Sequence, residues 1–256
     1  MREHFESFES YIPVSLVEPR NFLLACAVVY FFIAFRYFLM VGMAYFVLWK
    51  RTPRFFKLRQ IYPKLPGKEQ VWREIRWSLL TSVVFAVSGV GLGLMWELGW
   101  ARFYLPFEQY GFWYLPLSLL LLSFGHELYF YWTHRWMHHP KVYRWIHRVH
   151  HESLEPSPWA SFSFHPLESV LEALILPLLV LVVPVHPVLF LTYLTLMTVS
   201  AIVNHLGFEV LPRGALGQWL GRHFITGSHH SAHHRYFTCN YGLYYTWLDR
   251  LFRTQR

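Results

Sequence analysis

Four apolar stretches, residues 22–49, 77–100, 112–133 and 166–205, take up nearly half of this 256-residue chain. About 20 apolar residues suffice for a helix to cross a bilayer. Charged residues make up only 15% of the chain, against roughly 25% in a soluble globular domain, and 54% of residues are hydrophobic. The pattern predicts an all-α integral membrane protein with about four transmembrane helices: three spans plus a helical hairpin. Pro184-Val185-His186-Pro187 divides the last stretch into two runs of roughly 18 residues each, and Pro-x-x-Pro marks the reversal.

The segments between have distinct characters. Residues 1–20 read as a polar tail or surface helix. They carry Glu3, Glu6, Glu9 and Glu18 before an apolar run too long for a signal-peptide core, so no cleavable leader is expected. Arg36 interrupts the first span, so it faces protein or marks a shifted span. Residues 50–76 hold nine Lys/Arg against two Glu, with Pro53, Pro63, Pro66 and Gly67 as breakers, which predicts a cytoplasmic loop. The net charge of +8 is accounted for by such basic flanks and gives no reason to expect nucleic acid. Gly89, Gly91 and Gly93 lie inside an apolar helix and follow no strand, which argues against a dinucleotide loop; Gly89 and Gly93, at i, i+4, fit close helix packing. Cys26 and Cys239 form no CxxC pair, which argues against thiolate sites and disulfides. The chain divides into an N-terminal part, 1–111, and a C-terminal part, 112–256.

The C-terminal part holds most of the 16 histidines. His134 and His138 are spaced i, i+4. His147, His150 and His151 are spaced i, i+3, i+4, and His230, His233 and His234 repeat that pattern. On a helix these offsets share a face, so each set is expected to aim its imidazoles at one point as metal ligands. With loop 50–76 cytoplasmic, counting spans puts all three sets, with His165 and His205, on the cytoplasmic side. Eight imidazoles exceed a four-ligand zinc site, so two metals with open positions fit better. Imidazole suits iron, zinc, copper and nickel alike. HExxH is absent, and no Ser or Cys nucleophile arrangement stands out. His4, His186, His223 and His126 read as structural.

These motifs, HRWMH, HRVHH and HHSAHH, resemble the fatty acid hydroxylase/sterol desaturase superfamily with its HxxxH, HxxHH and HxxHH signature. Pro158–Phe162 (PWASF), Phe164–Glu168 (FHPLE), Asn204–Glu209 (NHLGFE) and Phe237–Gly242 (FTCNYG) are similar to the C-5 sterol desaturase branch. The resemblance spans about residues 112–253. It implies a membrane platform under a cytoplasmic helical cap with a non-haem di-iron site, although other metals can occupy such a site. By motif position the ligands are His134, His138, His147, His150, His151, His230, His233 and His234, with His205 as a ninth; His229 and His165 are further candidates. Glu127 matches an acidic position and suits an imidazole-orienting role.

The implied reaction takes hydrogen from an unactivated C–H bond of a lipid with O2 and external electrons, giving an alcohol or an alkene. The lipid, sterol-like or fatty-acyl, enters from the bilayer, with Trp132, Trp136, Trp145 and Trp159 as candidate lining. An acidic electron donor such as a cytochrome b5 or ferredoxin suits a basic face formed by loop 50–76, Arg135, Arg144 and Arg148; anionic lipid headgroups suit the same arginines. The location is multi-pass, in the endoplasmic reticulum of a eukaryote or the inner membrane of a bacterium. A histidine-rich metal transporter needs ligands along a path at mid-membrane. A membrane zinc hydrolase needs a general base beside the metal, for which Glu127 and Glu209 are available.

Overall fold

A computed structural model of the chain describes residues 11–64 and 66–256. The predicted surface helix near the N-terminus lies mostly outside them, as does His4; residues 11–18 are turns and irregular backbone. All regular structure among the described residues is helical, apart from isolated bridges that tie loops together. Three helices there are long and apolar enough to cross a membrane.

The first of these is α1, Pro19–Tyr45, which continues through a π-helical segment to Arg51. Pro19 opens it, at a position where a missing N–H costs nothing. Phe31 and Phe35 stand exposed on its outer side, an apolar surface suited to lipid. Arg36 does not shift the span. The helix runs through it unbroken, and its side chain lines an internal cavity with Nε unpartnered among the described residues.

Helix α2, Lys68–Glu97, starts nine residues earlier than the apolar pattern, so residues 68–76 belong to the helix and the basic loop is shorter than expected. Charged first turns do not oppose helix formation: Glu69 complements the N-terminal dipole, and Gln70 donates to Glu74 one turn on. Of its glycines, Gly93 sits tight against Leu16, where an added Cβ would lie 3.0 Å from Cδ1.

Helix α3, Tyr114–Met137, ends in the first histidine pair. It is long enough to span, but its C-terminal half carries His126 and Glu127 in place of apolar residues. The hairpin forms as predicted: α4, Pro166–Val182, and α5, Pro187–Asn204, each open on a proline after a histidine whose side chain accepts from the helix's first turn. At 17 and 18 residues each arm rises about 26 Å, just under the hydrocarbon thickness of about 30 Å. The tip docks on the loop after α2: Val185 N donates to Arg102 O at 2.9 Å. Gly125 lets α3 approach α4 closely, since a Cβ there would meet Leu179 at 2.6 Å.

The C-terminal ends of α3 and α5 and the N-terminal end of α4 lie at the end of the bundle away from that tip. The remaining chain folds over this end. It includes α6, Ala215–His223; α7, Gly227–Tyr236, with Thr226 as N-cap; and α8, Trp247–Leu251. A core of Tyr37, Trp49, Tyr62, Phe162, Leu206 and Phe208 fixes α1 and the basic loop to this region. Gly207 sits at its centre with φ +70°, its carbonyl accepting from Ile61 N at 2.8 Å. A Cβ there would fall 2.5 Å from Trp49 and 2.9 Å from Tyr62. Gly207→Ala combines left-handed strain with overpacking of rigid aromatics, and should cost about 2–4 kcal/mol. A lowered melting temperature in detergent checks this; an unchanged one contradicts the packing.

Candidate metal centre

Nine histidines converge at the capped end of the bundle, and they divide into two groups. His134, His138, His147, His151 and His233 form one; His150, His205, His230 and His234 form the other. Within each group the ring nitrogens that face inward all lie within 4.8 Å of one another. Eight of the nine are buried and His138 is half-buried. These are the nine expected positions, but the grouping differs from the expectation of one target per motif. His147 and His151 join one group while His150 joins the other. His230 and His234 join the second while His233 joins the first. Successive helical residues are about 100° apart, so an i, i+4 pair converges and the residue between them, at i+3, diverges. Each HxxHH motif therefore straddles both groups.

The proton inventory of the rings shows what they are built to hold. Nδ1 of His134 lies 2.9 Å from Tyr241 O, that of His233 2.7 Å from Cys239 O, and that of His234 3.0 Å from Ser153 O. Nδ1 of His205 lies 2.7 Å from Ala201 O, and that of His150 3.3 Å from Ser163 O. A carbonyl only accepts, so these five Nδ1 atoms carry the proton and, in a neutral ring, each Nε2 is a bare lone pair. Yet the Nε2 atoms of His150 and His205 lie 3.4 Å apart. Two lone pairs facing at that distance repel unless a cation lies among them.

Burial, and then repulsion between neighbouring imidazoles, holds His147, His150, His151, His230 and His234 well below the ordinary histidine range, which keeps the rings neutral. Burial likewise pushes His205 down to about 4. An all-nitrogen set of bare, buried Nε2 atoms fits soft or borderline transition metals, iron included, and not calcium or magnesium.

Buried acids hold the segments that supply these carbonyls. Asp249 accepts from Tyr241 N and Gly242 N at 2.9 Å each. Glu127 accepts from Leu243 N, Tyr244 N and Tyr245 N, the shortest at 2.7 Å. Between them they fix the FTCNYG turn, whose Cys239 and Tyr241 carbonyls orient His233 and His134. Phe237 and Asn240 adopt left-handed backbone there, and Asn240 Nδ2 ties the turn to His229 O at 2.9 Å. Glu74, from α2, accepts from Ser153 Oγ at 2.7 Å and from Ser157 Oγ, and Ser153 O receives His234.

Glu127 thus braces backbone and does not touch an imidazole. The acid that does is Glu168, with Oε1 2.7 Å from His147 Nδ1 and both side chains buried. The His-Pro-x-Glu element carried that signal. Asp249 and Glu74 had none, being single acids without a telling spacing. Glu209 accepts from Ser228 N and Oγ at the start of α7, away from the rings. His229 pairs with Thr226 Oγ1 at 3.2 Å and belongs to neither group. His165 caps α4 through Leu167 N and lies against Trp77. His186 caps α5 and stacks on Phe107, and His223 packs on Trp219.

A cavity of about 410 Å³ runs from His134, His147, His150, His205 and His230 down between α1–α5, past Phe85, Leu92, Leu176, Phe190 and Leu194. None of Trp132, Trp136, Trp145 or Trp159 lines it. The first three are exposed on the outer surface, and Trp159 packs on Tyr37 and Tyr45.

The neutral, buried imidazoles make the metal-free protein acid-sensitive. Their proton affinity is lower folded than unfolded, so below about pH 6.5 the unfolded chain takes up more protons. Stability present above that pH is lost as pH falls toward His205's value of about 4. Chelator-stripped protein should melt at steadily lower temperature across this window; a flat profile contradicts the burial of neutral rings.

The sequence model of the fatty acid hydroxylase family matches residues 119–254. The chain is 29% identical over 227 residues to a Delta(7)-sterol 5(6)-desaturase of Gibberella zeae, covering 87% of this chain and 65% of that protein. It is 30% identical over 187 residues to human lathosterol oxidase, covering 72% and 60%. It is 30% identical over 207 residues to a Delta(7)-sterol 5(6)-desaturase of Aspergillus fumigatus, covering 73% and 63%. The chain thus spans less than two thirds of the length of these relatives. No solved structure matches. The family match takes in eight histidine-motif positions, His205 and the FTCNYG turn that orients two of the rings, and with it the chain belongs to the fatty acid hydroxylase family, in its sterol desaturase branch.

Proposed function

We propose that this chain is a membrane-bound, non-haem two-iron oxygenase that hydroxylates or desaturates an unactivated C–H position of a lipid. The observation that carries this reading is the junction of two histidine groups with an apolar cavity that descends among membrane-length helices. Two iron ions held by the nine imidazoles supply O2-dependent removal of hydrogen from such a bond. The protein's part is to hold, orient and exclude. Carbonyls and Glu168 fix the ring orientations, so the donor atoms need little rearrangement to bind. The apolar walls exclude water and hold the lipid so that one carbon faces the histidines, which is what selects alcohol or alkene and the position attacked.

The relatives' names support a sterol-type lipid, and a fatty-acyl chain suits the same walls. Electrons come from an external carrier. Exposed Arg51, Arg54, Lys57, Arg144 and Arg148 lie near the capped end and suit an acidic donor such as a cytochrome b5 or ferredoxin. We assign this end to the cytoplasm, because the basic stretch between α1 and α2 lies at the same end as the histidines. The two acids considered as a hydrolytic base, Glu127 and Glu209, are both engaged with backbone away from the rings. Transport needs ligand groups spaced along a path, and among the described residues both histidine groups lie at one end of the bundle.

Purified protein reconstituted with iron, a reductant, an electron carrier and membrane lipids should consume O2 and convert a lipid to its alcohol or alkene. His150→Ala, in one group, and His233→Ala, in the other, should each lower turnover at least 1,000-fold while the protein stays folded in the membrane. Turnover retained without oxygen, or near-normal turnover in either variant, overturns the reading.

A further inference from the structure

His126 belongs to neither histidine group, yet it lines the same cavity. It is 2% exposed and sits on the face of α3 that carries Phe130 and His134 at successive i+4 steps, all three on the cavity wall. Its Nδ1 edge is taken. Tyr193 Oη lies 2.9 Å from it and Tyr244 Oη 3.3 Å. Tyr193 Oη is also 3.4 Å from Leu122 O. The Nε2 edge has no protein partner among the described residues and is left to the cavity. The cavity is mostly apolar between the histidine groups and its other polar linings, Arg36 and Glu172 among them; neither of these two pairs with His126, and a buried imidazole edge left so is costly unless a ligand group meets it.

Two proton arrangements are open to this network. Either Tyr193 donates to Nδ1 and Nε2–H is a donor, or Nδ1–H donates to Tyr193, which donates to Leu122 O, and Nε2 is an acceptor. A hydroxyl group both donates and accepts, so it pairs with Nε2 in either arrangement. A carboxylate, which only accepts, pairs with one. Resting on the reading that the cavity holds the lipid substrate, we propose that His126, held by Tyr193 and Tyr244, is the anchor for a lipid hydroxyl. Eight residues of helix separate it from His134, a rise of roughly 12 Å. A hydroxyl held at His126 therefore presents a distant carbon of the lipid to the histidines, and His126 is a specificity-determining residue for the carbon attacked.

Binding without turnover tests this. Metal-loaded protein in nanodiscs, anaerobic and without reductant, is titrated with radiolabelled cholesterol against cholest-5-ene, and with hexadecan-1-ol against hexadecane. The two pairs separate a sterol from a chain alcohol. Wild type should hold one hydroxyl lipid about tenfold more tightly than its deoxy partner. His126→Leu should bring the two affinities level, and His126→Gln, which keeps a donor and an acceptor, should retain a preference. Should His126→Leu melt early, His126→Phe makes the same test. Equal affinities in wild type for both pairs, or a preference kept in a folded His126→Leu or His126→Phe, overturns the proposal. No oxygen chemistry enters the readout, so failure of the oxygenase reading and failure of this anchor are told apart.

Discussion

Lone pairs face lone pairs at the centre of this protein. His150 and His205 point bare Nε2 atoms at each other 3.4 Å apart, and His230 brings its own Nε2 within 3.0 Å of His205. Without a cation such an arrangement is repulsive, and burial prevents the rings from relieving it by taking up protons. Much of the surrounding architecture makes sense as the means of keeping five of the nine imidazoles in that state. Each carbonyl that takes an Nδ1 proton removes one way for a ring to turn and settle its neighbour's lone pair by an ordinary N–H···N bond.

The carbonyls must in turn be immobile, and that is the work of the buried acids. Asp249 grips the last two amides of the FTCNYG turn and Glu127 the three that follow, and Glu74 reaches from a membrane helix to the serines after the HRVHH motif. These acids act through backbone, so their loss should show first as disorder of the rings. Glu168 is different in kind, because it meets His147 directly. The chain thus couples helices α2, α3 and α4 to the centre through one acid each, which links the geometry of the cavity to that of the histidines.

Much of this was legible in the sequence. The apolar runs gave the helices, and Pro184 and Pro187 gave the hairpin. The histidine spacings picked out eight of the converging rings, and His205 came with the family likeness. Illegible were features that depend on direction in space. The i, i+3, i+4 spacing suggested one target per motif, whereas the 100° step between neighbours sends His150 and His151 to different groups. The apolar pattern began α2 too late, because residues 68–76 are mostly charged, and the one acid among them that is buried, Glu74, is held by serines and not by apolar packing. Glu127 looked like an imidazole partner from its place in the sequence, and only the fold shows it turned toward backbone amides. The interfacial tryptophans looked like a lipid route, but the cavity opens inside the bundle, where phenylalanines and leucines stand. Asp249 and Glu74 carry no pattern that a single chain can reveal.

The central claim is that the two histidine groups hold two metal ions through imidazole nitrogen alone. Metal analysis joined to X-ray absorption at the metal edge tests it most directly. The account predicts two ions per chain, with multiple-scattering features of imidazole and no protein sulfur in the first shell. A single ion per chain, or a first shell of carboxylate oxygen or cysteine sulfur in place of imidazole, would contradict it.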